Sequence, residues 1–103
     1  MRKIKVLMKR PDSGWYVTNV SNTLRNLQNL VGGYIETVTL AKDGPVLICN
    51  EEGKLRGLPF NCRICGEDFV GTILIAGVDG EEFCDLSDDM IKVLLPALKG
   101  ASV

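Results

Sequence analysis

Ser21-Asn22-Thr23-Leu24-Arg25-Asn26-Leu27-Gln28-Asn29-Leu30-Val31-Gly32-Gly33 is the stretch on which the fold turns. Leu24, Leu27, Leu30 and Val31 recur at three- and four-residue intervals and form one apolar stripe, while Arg25, Asn26, Gln28 and Asn29 fall on the wet side. Ser21 is the expected cap, since its hydroxyl can accept from an orphan amide of the first turn. Gly32-Gly33 supplies the left-handed stop. A short amphipathic helix therefore interrupts what is otherwise a chain of strands.

On its amino-terminal side, residues 4–8 and 15–20 alternate as strands around the turn Pro11-Asp12-Ser13-Gly14, which predicts a hairpin. On its carboxyl side, alternation resumes over 34–41, and Lys42-Asp43-Gly44-Pro45 makes a turn. The almost wholly apolar run Val46-Leu47-Ile48-Cys49-Asn50 reads as a central strand covered on both faces. Glu51-Glu52-Gly53-Lys54 follows as a hairpin turn with Gly53 at positive φ. Residues 55–58 add a short strand or bend, 60–68 read as irregular, and 69–78 as the last strand. After the break at Asp79-Gly80-Glu81-Glu82, Ser87 caps a closing helix whose first turn holds Asp88 and Asp89. Pro96, lacking an amide hydrogen, is expected to kink or end that helix.

The order is ββαβββα-like: an α+β fold with a mostly antiparallel sheet of about five strands and two helices able to cover one face. The chain is expected to be a single domain over residues 1–103.

Composition narrows the function. At 46% hydrophobic, the 103 residues can build one real core. With 12 basic against 13 acidic residues, the mean field favours neither general nucleic-acid binding nor an anionic membrane. No run approaches the roughly 20 apolar residues of a membrane span, and the start of the chain is too interrupted for a signal-peptide core, so a cytoplasmic protein with reduced thiols is expected.

Histidine is absent, which removes the commonest general base and the commonest metal ligand. Cys62-Arg63-Ile64-Cys65 is half of a thiolate metal site, but Cys49 and Cys84 lack the second Cys-x-x-Cys that makes a zinc ribbon persuasive, and no helical stripe follows as a thioredoxin-like site requires. Two loop cysteines are the simpler reading. The turn at 50–54 lacks the glycine spacing of a phosphate loop and the acidic ladder of a calcium loop. Glu81, Glu82, Asp85, Asp88 and Asp89 read as solvated caps. Of Trp15 and Tyr16, one must look away from the core face.

The chain resembles a known family along Leu30-Val31-Gly32-Gly33-Tyr34-Ile35-Glu36, then Ile48-Cys49-Asn50-Glu51-Glu52-Gly53-Lys54-Leu55-Arg56-Gly57-Leu58-Pro59-Phe60-Asn61, and on through Val70-Gly71-Thr72-Ile73-Leu74-Ile75 and Phe83-Cys84-Asp85-Leu86-Ser87-Asp88. It is similar to an uncharacterised domain-of-unknown-function family of small proteins from bacteriophages, plasmids and integrative elements. The Cys62 and Cys65 pair departs from that pattern. The resemblance implies a setting, the accessory gene of a mobile element, and no activity.

The expectation is a non-enzymatic protein that binds a host protein, in the sense of countering a host defence system. Its expected surface comprises Asn50, Glu51, Glu52, Gly53, Lys54, Arg56, Leu58, Pro59 and Asn61, because exposed connections carry function more often than the scaffold beneath. A protein that binds or sequesters a small nucleotide ligand, as a homo-oligomer deep enough to enclose it, is the alternative; a zinc-stabilised interaction module is a third. No catalytic residue, cofactor or metal ligand is assigned.

Overall fold

A computed structural model describes residues 2–42 and 44–101. Its elements run β1 (Lys3–Lys9), β2 (Tyr16–Ser21), α1 (Leu24–Val31), β3 (Ile35–Thr39), β4 (Val46–Asn50), β5 (Phe60–Ile64), β6 (Glu67–Val70), β7 (Ile73–Asp79), β8 (Glu82–Cys84) and α2 (Asp88–Ala101). The main sheet is six-stranded in the order β2-β1-β7-β4-β3, with β8 added on β7; β5 and β6 form a separate two-stranded sheet. All the pairings are antiparallel. The α+β architecture read from the sequence is the one observed.

Strand alternation decides how the core divides. Ile4, Val6 and Met8 of β1, Val46 and Ile48 of β4, and Leu74 and Ala76 of β7 pack with Leu27 and Val31 of α1. Leu7, Leu47, Cys49, Ile73 and Ile75, their odd-position neighbours, pack on the other face with Trp15, with Cys62 and Phe69 of the small hairpin, and with Leu98 of α2. The two helices therefore cover opposite faces, not one. β4 is buried at all five positions, as its apolar run predicts, and each fully buried Leu or Ile contributes about 1.5–3 kcal/mol.

Local chemistry shifts several boundaries. Thr23, not Ser21, caps α1: it is extended (φ −124°, ψ 148°) and its side chain accepts from the Asn26 amide, while Ser21 ends β2. Gly32 closes the helix at φ 82°. The irregular 60–68 segment is a hairpin whose two-residue turn, Cys65 (φ 51°) and Gly66 (φ 79°), has the mirror-image geometry that matches strand twist. Gly71, at φ 71°, divides the expected single strand over 69–78 into β6 and β7. Ser87 caps α2 through a 3.1 Å bond from the Met90 amide. Pro96 does not end this helix, which continues to Ala101. A proline removes one intrahelical bond, and Lys92, the residue four positions earlier, lies on the exposed side of the helix. Among the described residues, no helix is long and apolar enough to cross a membrane.

Candidate functional site

The segment 50–61 leaves the end of β4, crosses over the carboxyl end of α1, and enters β5. It is a tied-down turn and not a hairpin loop. Gly53 donates to Asn50 O (3.2 Å), Arg56 to Glu52 O (2.9 Å), Gly57 to Lys54 O (3.1 Å) and Leu58 to Gly53 O (3.0 Å), all through backbone amides. Gly57, at φ 70°, and not Gly53, carries the left-handed bend expected of this turn. Gly53 is required for a different reason: a Cβ there would meet Val70 Cγ2 at 2.8 Å.

Two side chains fasten the turn to α1. Asn50 Nδ2 donates to Val31 O (3.1 Å), and its Oδ1 accepts from the Glu52 amide (2.8 Å). Arg56 Nη1 donates to Gly32 O at 3.1 Å. Both bonds satisfy carbonyls that the end of a helix leaves without partners, and a cation there also opposes the negative end of the helix dipole. Gly33 is packed so closely that a Cβ would lie 2.9 Å from Asn50 Nδ2 and 3.3 Å from Arg56 Nη1.

At the far end, Asn61 Nδ2 donates to Lys9 O (2.9 Å) and Gly71 O (2.6 Å), and Asn61 O accepts from Lys9 Nζ (3.3 Å). Asn61 Oδ1 and Trp15 Nε1 are buried without a partner among the described residues.

The expected binding surface thus separates into two sets. Asn50, Gly53 and Asn61 are buried and hold the scaffold, and Leu58 is half-buried. Glu51, Glu52, Lys54, Arg56 and Pro59 are exposed. Turn chemistry does not mark the three most prominent apolar side chains of the neighbourhood: Leu55 is 85% exposed, Tyr34 67% and Phe60 52%. The available signal was an apolar residue between Lys54 and Arg56 in a polar turn.

Depressions flank the turn on both sides. One, of about 510 Å³, is lined by Gln28, Asn29, Gly32, Gly33, Tyr34, Glu52 and Arg56. The other, of about 310 Å³, has Cys49, Phe69 and Val70 in its walls and Glu36, Glu51, Glu52, Glu67, Asp68 and Lys54 around them. Burial, reinforced by Glu36 and Glu67, pushes the Cys49 thiol up to about 11. Cys49 is therefore a poor nucleophile near neutrality.

The remaining cysteines stand apart: Cys62 is buried, Cys65 is exposed at the hairpin tip, and Cys84 is half-buried on β8, all free. Among the described residues, no group of three or more His, Cys, Asp or Glu side chains is placed to hold a metal ion. Two of the acidic residues around the start of α2 are tied into the fold: Asp85 Oδ1 accepts from the Lys5 amide (2.8 Å) and Asp88 pairs with Lys5 Nζ (2.9 Å). That pairing lowers the Asp88 carboxyl below its ordinary range.

The profile of a domain of unknown function, DUF3846, matches residues 4–98. The chain belongs to the DUF3846 family. The matched region holds the main sheet, except for the first residue of β1, and the whole 50–61 turn, so the candidate surface lies within the DUF3846 domain. No curated protein and no solved structure matches the chain.

Proposed function

We propose that this DUF3846 protein is a non-catalytic binding protein that grips another protein through the turn over residues 50–61. The observation that supports this is Leu55. An aliphatic side chain 85% exposed costs hydration free energy, and here it is displayed on a turn pinned to α1 by Asn50 and Arg56. Tyr34 and Phe60 add exposed apolar area, and Glu52, Lys54 and Arg56 supply the polar rim that protein interfaces use. The setting we infer is the cytoplasm of a bacterium carrying a phage or mobile element, with a host protein of a defence system as the target.

The test is capture from a host lysate with crosslinking, comparing wild type, Leu55→Asp and Glu52→Lys. The proposal expects crosslinks to residues of the 50–61 turn and loss of capture with Leu55→Asp. Absence of any captured protein, or equal capture by the variant, refutes it. Asn61→Ala is unsuitable as a surface control, because that side chain is interior.

The 510 Å³ depression, with Gln28, Asn29, Tyr34 and Arg56 in its wall, favours a small nucleotide ligand as the second reading. Against it, the amides of Gly32, Gly33, Gly53 and Gly57 all donate to carbonyls of the chain, so these glycine turns offer no free amide to a phosphate. Native mass spectrometry against a nucleotide panel separates the two readings.

A further inference from the structure

The structure points to β3 as the edge at which the partner is held: we propose that an extended segment carrying a basic side chain at every second residue adds to β3 as a seventh, antiparallel strand of the main sheet. This rests on the protein-binding reading above and names the partner's chemistry.

Among the described residues, β3 ends the main sheet and pairs only with β4. The register fixes which backbone groups are free. Glu51 N donates to Tyr34 O (2.8 Å) and Leu40 N to Pro45 O (3.0 Å), and Ile35 is paired with Asn50 between them. In an antiparallel ladder the bonded pairs alternate with non-bonded ones. Residues 34, 36, 38 and 40 therefore turn their amides and carbonyls toward β4. Ile35, Thr37 and Thr39 turn theirs outward, and no other described residue bonds to them. Three consecutive outward positions are an open template for another strand.

Charge selects the occupant. Glu36 sits opposite Cys49, on the face where the 310 Å³ depression opens beside the edge. Among the described residues, Glu36, Glu51, Glu52, Glu67 and Asp68 line that depression against one cation, Lys54, and of the five only Asp68 is committed, to Arg63 at 2.7 Å. A residue added opposite Glu36 projects onto this same face, as do those two positions before and after it. Lysine or arginine suits such positions: the aliphatic stem lies along Cys49, Phe69 and Val70, and the charged head meets the carboxylates. A second copy of this chain is the poorer occupant, since it brings its own Glu36 to the same acidic rim, and like charges across a ladder are destabilising.

The experiment uses the whole chain and a fluorescent peptide alternating lysine with valine and threonine, at low ionic strength. Its comparators are the same peptide with glutamate for lysine and a version N-methylated on alternate amides. Amide-resolved NMR should show shifts and slowed exchange at Ile35, Thr37 and Thr39. Thr37→Pro removes one outward N–H and no bond to β4, and should weaken binding roughly fivefold or more. Glu36→Lys and N-methylation should weaken it further, with circular dichroism confirming that both variants fold. The proposal is overturned by no binding of the lysine peptide, by equal binding of the glutamate peptide, by binding that leaves those amides unmoved, or by self-association that Thr37→Pro abolishes. A host protein whose capture depends on Leu55 but not on Thr37 would retain the protein-binding reading and discard the strand.

Discussion

Asn50 caps α1 from another strand: its side-chain amide donates to the Val31 carbonyl at 3.1 Å, nineteen positions away in the chain. The helix has no basic residue in its last turn; Gly32 and Gly33 bond the Gln28 carbonyl, and Asn50 and Arg56 supply partners for the carbonyls of Val31 and Gly32. Asn50→Ala strands the Val31 carbonyl and frees the Glu52 amide, and should cost about 1–3 kcal/mol in urea unfolding. Asn50→Asp replaces the donor with a carboxylate at the negative end of a helix and should cost more than alanine does.

Leu55 gives the opposite signature. At 85% exposed it contributes little to the fold, so Leu55→Asp should change stability by no more than about 0.5 kcal/mol. Its effect belongs to partner capture, where loss of a central apolar anchor typically costs about 2 kcal/mol or more. Parallel measurement of unfolding and capture separates it from Asn50.

Two glycines are fixed by different physics. Gly57 has open space around it and φ 70°, so Gly57→Ala should cost about 1–2 kcal/mol of left-handed strain, with Gly57→Asn recovering part. Gly77 has an ordinary φ, but a Cβ there would lie 2.5 Å from the Asp85 carbonyl oxygen. Gly77→Asn should rescue nothing, and Gly77→Ala should cost about 1–3 kcal/mol through forced backbone movement. Thermal unfolding of the four variants checks the pattern.

The thiols should divide by burial. In native protein near pH 8, Cys65 should react first with a disulfide reagent, Cys84 more slowly, and Cys49 and Cys62 only on unfolding. The Cys49 thiol is raised from 9.0 to about 11, so the folded state holds its proton more tightly than the unfolded state does. The stability this contributes is complete below about pH 9 and is lost as pH rises through about 11. Cys49→Val should flatten that part of the stability profile.

The fold was legible where a local pattern matched a local cause. The stripe through Leu27 and Val31, the buried run of β4 and the Ser87 cap each state their structure in adjacent residues. The small hairpin was hidden because its turn is Cys65-Gly66, not the usual Asn-Gly or Asp-Gly, and its strands carry the Arg63–Asp68 ion pair. The opposite placement of the helices is a property of strand order, which no local pattern encodes. At the site, Asn50 and Asn61 look like exposed loop amides in sequence. Their acceptors, Val31, Lys9 and Gly71, come from distant segments, so only the fold reveals them as interior.

Trp15, the only tryptophan, is 5% exposed and belongs to the core on the α2 side. The protein thereby carries its tryptophan reporter on one face of its sheet, while the face under α1 has a tyrosine, Tyr16, against its core. Tryptophan emission follows the α2 side, while far-ultraviolet dichroism follows both helices. Coincident midpoints would mean that the central strands melt both layers as one cooperative unit; separated midpoints would make the sheet a partition between two layers that lose order in succession.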